Sequence, residues 1–485
     1  MQRISLFVFA IALLTSAAIL VGLNGCGSVG SSNSQGPPAP GTIQHVVVIF
    51  QENRTPDNLF QDPVLIGRGA DIAQSGVDST GKTIPLTMTP LGVDYDPVHS
   101  HKQFLTMCDL DPSTGQCRMD GADLVDVNCP EGAKDCPAPD LTFGYVDPSD
   151  VQPYFDMAEQ YTFADRMFQT NQGPSFPAHQ FIISGTSTPT TGSNLFASEN
   201  THATGLPNAG CDSPSDTTVK LIDPTGSETS NSPIYPCFEH QTLTDLLEAK
   251  SYSWKYYVPS EDGVHGDSGI WTAPSAIQHI CGPNQPPPNG TACVGSDWKN
   301  HVVLNQTQVL SDIASHQLAD VTWVIPTGAD SDHAGNIPGN TGPSWVASIV
   351  NAIGTSTYWK DTAIFITWDD WGGWYDHVQP PQVLLNCSQW GCGYVYGFRV
   401  PLIVVSPYAR AGYISHKQHD FGSILKFIES DFGLPSLGTA DVNADDLSDC
   451  FDFNQTPLQF KQIQAPVKAD FFLHDTRPPT DPDDD

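Results

Sequence analysis

The chain has 485 residues, and 54 aspartates plus glutamates outnumber 20 lysines plus arginines to give a formal charge of −34. That balance excludes a general basic surface for nucleic acid or anionic membrane, so an anionic substrate would need a local cation. The length suits one large α/β domain with insertions or two ordinary domains. A hydrophobic content of 39% excludes disorder of the whole chain, while 41 glycines and 41 prolines point to many ordered loops.

In chain order, Arg3 precedes the apolar run from Ile4 to Val21, and residues 1–25 have the architecture of an export signal. Leu23-Asn24-Gly25-Cys26 is similar to a bacterial lipoprotein processing site that would leave Cys26 lipidated. Lipidation and simple cleavage both stay open. A Gly/Ser/Pro-rich linker follows over 26–41, the folded region is expected over 42–474, and the acidic 475–485 tail is expected to be disordered. Beyond Cys26 the cysteines fall as neighbours, Cys108/Cys117, Cys129/Cys136, Cys211/Cys237, Cys281/Cys293 and Cys387/Cys392, with Cys450 left over. Five loop-pinning disulfides are the expectation, which agrees with a periplasmic, outer-membrane-anchored or extracellular protein.

Ile43 to Phe50 reads as a buried parallel strand that empties into Glu52-Asn53-Arg54, with Thr55 as N-cap and Pro56 as the first residue of a helix. Arg54 either contacts substrate or buttresses the acidic loop. Asp62 to Leu141 is a loop-like insertion carrying His99 and His101, which share one face of an extended segment. Tyr154 to Phe168 has an amphipathic helical pattern. Ser175, before Phe181-Ile182-Ile183, has the grammar of an N-cap, where an oxygen among free N–H groups also suits attack on a phosphate.

After a polar insertion over 187–237, helices are expected at Thr242–Lys250, Val309–His316, Pro343–Ile353 and Phe421–Phe432, and a helical turn at Ala273–His279. Strands are expected at Trp254–Val258, Val321–Ile325, Thr362–Trp368 and Val400–Val405. Asp332 and His333 follow one of these strands. Asp369 and Asp370 follow another, among Trp368, Trp371 and Trp374 and before the Gly372-Gly373 turn. Two neighbouring anions at a strand's carboxyl end are costly unless a cation holds them, so this pair reads as a metal site. Hard oxygen ligands imply a divalent cation, and the implied chemistry is phosphoester hydrolysis. Asp376, His377, His419 and Asp420 read as structural.

In order along the chain, HVVVIFQENRTPDNLF, DPVHSH with MDG, SFPAHQFIISG, SAIQHI, DSDHAGN, TWDDWGGWYDHVQPP and GFRVPLIVVSPYARAGY resemble the bacterial phosphoesterase family of phospholipase C and acid phosphatase type, within the alkaline phosphatase superfamily. The resemblance implies a mainly parallel sheet flanked by helices, with disulfide-pinned insertions. It also implies a metal held by Glu52, Asn53, Asp369 and Asp370, a nucleophile at Ser175, and His99, His279 and His333 lining the site; His101 is a poorer match than His99. The substrate class is a phospholipid or a small phosphomonoester.

Two departures stand out: Ala178 occupies the position where relatives commonly carry Asn, and Thr55-Pro56-Asp57-Asn58 stands where they carry Ser-Phe-Asp-His. The first puts substrate preference in doubt. Two other readings compete, a non-catalytic surface lipoprotein on the same fold and a sulfatase or phosphonate hydrolase, but the serine motif lacks the Cys-x-Pro-x-Arg pattern of formylglycine sulfatases.

Overall fold

HVVVIFQ offers an almost unbroken apolar run, and a run of this kind forms a strand only where both faces are covered. The computed structural model, which describes residues 41–202, 209–228, 233–259, 269–335, 339–381 and 395–477, places it as β1 (His45–Gln51) inside an eight-stranded sheet. The other strands are β2 (Thr162–Ala164), β3 (Trp254–Val258), β4 (Val302–Leu304), β5 (Val321–Val324), β6 (Thr362–Trp368), β7 (Leu402–Val405) and β8 (Tyr413–Ser415). Their order is β4-β3-β5-β1-β6-β7-β2-β8. Only β7 runs against its neighbours.

Register decides what this sheet presents. β1 pairs in parallel with β6 from His45↔Thr362 to Gln51↔Trp368, and with β5 from Val46↔Val321 to Ile49↔Val324. The residues after Gln51, Trp368 and Val324 therefore leave the sheet at one carboxyl edge, where open α/β sheets place their ligands.

The helices used below are α1 (Pro56–Leu59), α2 (His101–Cys108), α3 (Gln152–Gln160), α4 (Ser175–Ser184), α5 (Leu243–Ala249), α6 (Gln308–Ala314), α7 (Gly342–Gly354) and α8 (Phe421–Phe432). Helix α7 packs against α3 and α6, and α4 packs against α5 and α8. Both groups supply the apolar residues that cover the strands. No helix of the described residues is long and apolar enough to cross a membrane.

Three local expectations need correction. The stretch from Tyr154 to Phe168 is not one helix: α3 stops at Gln160, and Thr162–Ala164 becomes β2, paired between β7 and β8. Its Tyr-Thr-Phe start carries the β-branched and aromatic side chains that favour a pleated, buried position, and sheet pairing overrides the helical period. Ser175 is not the N-cap of α4. Pro174 is, and Ser175 is the first helical residue. Finally, Asp475 and Arg477, at the head of the tail, are tied down, with Arg477 2.8 Å from Asp330 and 2.6 Å from Asp475.

Four of the five cysteine pairs form the disulfides read from spacing, Cys108–Cys117, Cys129–Cys136, Cys211–Cys237 and Cys281–Cys293. Cys387 and Cys392 lie outside the described residues, and Cys450 is a buried free thiol. Closing the 26-residue span between Cys211 and Cys237 stabilises by about 3.5 kcal/mol in the chain-entropy account. The double substitution Cys211→Ser/Cys237→Ser should lower the unfolding free energy by roughly that amount in a denaturant titration. A peptide map without reductant should return the four pairs and leave Cys450 alkylated only after unfolding.

Candidate active site

The site begins with two loops that leave adjacent strands and hold each other. Asn53, with φ of 62°, donates its backbone N–H to Asp369 Oδ1 at 3.0 Å. Asp370 N–H donates to the same oxygen at 2.8 Å, and Gly372 N–H donates to Asp370 Oδ1 at 2.7 Å. Gly372 has φ of +60°, and a Cβ there would stand 2.3 Å from the Asn53 carbonyl oxygen. Glycine is required here by both conformation and space. The Glu52 N–H is anchored on Ser331 O at 2.8 Å, which ties in the loop after β5.

Helix α4 supplies the third side. Ser175 and His179 are four residues apart and share a face. Ser175 Oγ lies 3.5 Å from both Glu52 Oε2 and Asp370 Oδ2, while His179 Nε2 lies 3.2 Å from Glu52 Oε1 and 3.9 Å from Asp369 Oδ2. The Asn53 amide completes the cluster. Oriented to satisfy its neighbours, it donates to Glu52 Oε2 at 3.2 Å and Asp369 Oδ1 at 2.9 Å, and its oxygen accepts from His99 Nε2 at 2.8 Å and His333 Nε2 at 3.0 Å. The other nitrogen of His99 faces Pro97 O at 3.1 Å, and that of His333 faces Ala334 O at 2.6 Å. Both rings are thus set among acceptors. Trp271 stacks on His179, and Trp371 meets His99 edge-on.

Glu52, Ser175, His179, Asp369 and Asp370 are all fully buried. Burial, followed by the charge of Glu52, pushes the Asp369 carboxyl well above the ordinary range. Burial also pulls His179 down to about 4, so at neutral pH its ring is a neutral lone-pair donor and no counter-ion. Asp369 Oδ2 has no hydrogen bond of ordinary geometry. Glu52, His179 and Asp369 offer ligand atoms that all lie within 4.8 Å of one another. An anionic oxygen pair, a neutral imidazole and an orphaned carboxylate oxygen fit a divalent cation.

The seven residues Glu52, Asn53, Asp369, Asp370, Ser175, His99 and His333 come together as the sequence reading placed them. His279 does not join them. Its Nδ1 lies 2.8 Å from Glu239 and its Nε2 3.3 Å from Asp245; burial lowers its pKa, but Asp245 and Glu239 outweigh that and hold it at about 9. His279 is an ion-paired residue on the far side of a one-turn helix (Gln278–Cys281), and the short motif carried no information on which way it faces. His179 is the member that sequence reasoning missed, although its spacing from Ser175 was a visible signal.

A supporting ring surrounds the cluster. Arg54 is a buttress: fully buried, it donates to Asp332 O and Leu91 O and lies over the Trp374 ring. Asp332 Oδ2 accepts from Tyr154 at 2.7 Å and from Trp368 at 3.1 Å, and burial raises its carboxyl to about 7. On the other flank Arg399 clamps Asp376 at 2.9 Å through two nitrogens, and His377 bonds Asp57 at 2.7 Å, which locks α1 to the glycine turn.

An α/β sheet with buried acids, a helix-borne serine and histidines gathered at its carboxyl edge is an arrangement able to hold a divalent cation beside a hydroxyl. More specifically, the chain belongs to the Phosphoesterase family, whose sequence profile matches residues 43–435. It is 23% identical to the non-hemolytic phospholipase C of Pseudomonas aeruginosa over 469 residues, 88% of this chain and 60% of that protein. It is likewise 23% identical to phospholipase C A of Mycobacterium tuberculosis over 465 residues, 87% of this chain and 80% of that one. The chain therefore spans about three fifths of the length of the Pseudomonas relative. Among solved structures, a protein in the alkaline phosphatase superfamily from Vibrio parahaemolyticus aligns over 83% of this chain and 71% of that chain, at 9% identity and a TM-score of 0.36, a likeness too small to carry an argument.

Two outcomes follow from this geometry. Gly372→Ala forces a side chain against Asn53, and it should destabilise by at least about 1–2 kcal/mol and lower affinity for an added divalent cation measured by calorimetry. His377 is pulled down by burial but raised to about 9 by Asp57, against 6.5 ordinarily. A raised histidine stabilises below 6.5 and loses that contribution as pH climbs through 9. Thermal unfolding of the wild type should therefore weaken across that window, and His377→Asn should show a flatter profile.

Proposed function

We propose that this chain is an exported, metal-dependent phosphoric ester hydrolase with Ser175 as nucleophile. The observation that carries the reading is the position of Ser175 Oγ, 3.5 Å from each of two buried carboxylates at the first turn of α4. Glu52, His179 and Asp369, with Asp370 and Asn53 beside them, would hold a divalent cation. When bound, that cation supplies charge stabilisation to phosphoryl oxygens and favours the ionised form of a nearby hydroxyl.

The chain's own residues do the rest. The N-terminus of α4 directs N–H groups and its dipole toward a bound phosphoryl group. Ser175 Oγ attacks phosphorus, its proton passes to Glu52 or Asp370, and the ester P–O bond breaks to leave a phosphoserine and an alkoxide. His99 or His333, each with both ring nitrogens among oxygen acceptors, delivers the proton that the leaving oxygen takes up. Water then attacks the phosphoserine, restores the Ser175 hydroxyl and frees the phosphate product. Asn53 holds both histidines on its amide oxygen while its amide nitrogen reaches Glu52 and Asp369.

The relatives named phospholipase C make a phosphodiester with an apolar leaving group the first substrate to test, with a small phosphomonoester as the second. Export is supported by the leader-like residues 1–25 and by four disulfides, which persist in oxidising compartments.

The test is a panel of para-nitrophenyl phosphorylcholine and para-nitrophenyl phosphate, with and without chelator. Ser175→Ala should reduce turnover by several orders of magnitude, while Ser175→Thr retains measurable activity, and quenched wild-type reactions should carry phosphate on Ser175. Near wild-type turnover by Ser175→Ala would make the serine a bystander and leave an activated water as nucleophile.

A further inference from the structure

Away from the Glu52 cluster, the one free thiol among the described residues sits in a second constellation of ligand-type atoms. Cys450 and Asp449 end a loop that packs on β8, and His419 precedes the start of α8. His419 Nε2, Asp449 Oδ1 and Cys450 Sγ form a triangle with edges of 3.6, 3.8 and 4.0 Å. A tetrahedral zinc-class ion with bonds of about 2.0–2.3 Å needs edges of roughly 3.4–3.6 Å between such donors. The observed triangle is more open by at most about 0.4 Å on an edge, which side-chain torsions close without moving backbone.

Two further observations point to an ion rather than to packing. The Cys450 side chain is fully buried beside Ser415, and its contacts with His419 and Asp449, at 4.0 and 3.8 Å, are long even for sulfur. His419 is also buried, and its second ring nitrogen lies 3.0 Å from Asp445 Oδ1. A carboxylate behind an imidazole is the arrangement that fixes the tautomer of a metal-ligating histidine. Ser415 Oγ hydrogen-bonds His419 Nε2 at 2.9 Å and donates to Asp449 Oδ2 at 2.6 Å, and an ion in the triangle would take the place of the first of these bonds. Asp445 and Asp449 keep part of their side chains in solvent, so an ion has a way in.

The geometry points to a second cation site, formed by His419, Asp449 and Cys450, for a thiophilic divalent ion of the zinc class. Binding forms a metal–sulfur bond and releases the thiol proton to water. A bound ion would staple the 445–450 loop to β8 and to the head of α8, a place where no disulfide reaches among the described residues. The mixed sulfur, nitrogen and oxygen donors distinguish it from the Glu52 cluster, which has no sulfur.

That difference supplies the test. The full chain, stripped with chelator and dialysed, is titrated with Co²⁺ alone while the thiolate-to-cobalt charge-transfer absorption is followed. The wild type should develop the band to an amplitude of one thiolate-bound cobalt per chain, whatever further Co²⁺ the Glu52 cluster takes up. Asp369→Asn should keep it, whereas Cys450→Ser and His419→Gln should lose it. Absence of the band in wild type at excess Co²⁺, a result that depends on no variant folding, would overturn the site and leave His419 as an ion-paired residue between Asp445 and Asp449. Retention of the band in folded His419→Gln would overturn it equally.

Discussion

Everything around the site answers one constraint: three carboxylates, Glu52, Asp369 and Asp370, are completely removed from water at the ends of two adjacent strands. Buried like charges at this spacing are strongly unfavourable, and the neutral His179 beside them does not offset the repulsion. The parallel pairing of β1 with β6 makes the juxtaposition unavoidable, because register puts Gln51 opposite Trp368 and the next residues of both chains into one space. A divalent cation would resolve the conflict. Protonation of Asp369 is the substitute available without one, which is the direction in which its carboxyl is pushed.

The supporting structure preserves that unfavourable arrangement instead of relieving it. Arg54 spends its guanidinium on main-chain oxygens of Asp332 and Leu91, and so orients the loop that presents His333 without neutralising the central acids. Arg399 is similarly committed to Asp376 and Asp57. Both cations brace the two loops from outside. A chain this acidic has few cations to place, and these two are committed to main-chain oxygens and to carboxylates outside the cluster, which leaves the central acids without a side-chain counter-charge from either arginine.

Most of the central sheet was legible in the sequence because its signals were physical and local, whereas the grouping of the seven site residues came mainly from the family resemblance. Thr362–Trp368 and Phe421–Phe432 were bounded correctly, the first by β-branched residues stopped at glycines and the second by an Asp420 capping box and Gly433. What escaped was non-local. The Thr162–Ala164 strand exists because β7 and β8 flank it, and β4 is three residues long at a sheet edge, too short to leave a period. His279 and His179 fail in opposite ways: the first sits in a matching motif but turns toward Glu239, and the second sits one helical turn beyond Ser175 inside the serine motif yet was given no role.

The central claim is that an ion balances the buried acids, and the most direct measurement is an anomalous difference map from crystals grown with Mn²⁺. The account predicts a peak within coordination distance of Glu52, His179 and Asp369, absent in Asp369→Asn crystals. A wild-type map without density there, from protein whose hydrolytic activity survives exhaustive chelation, would contradict it.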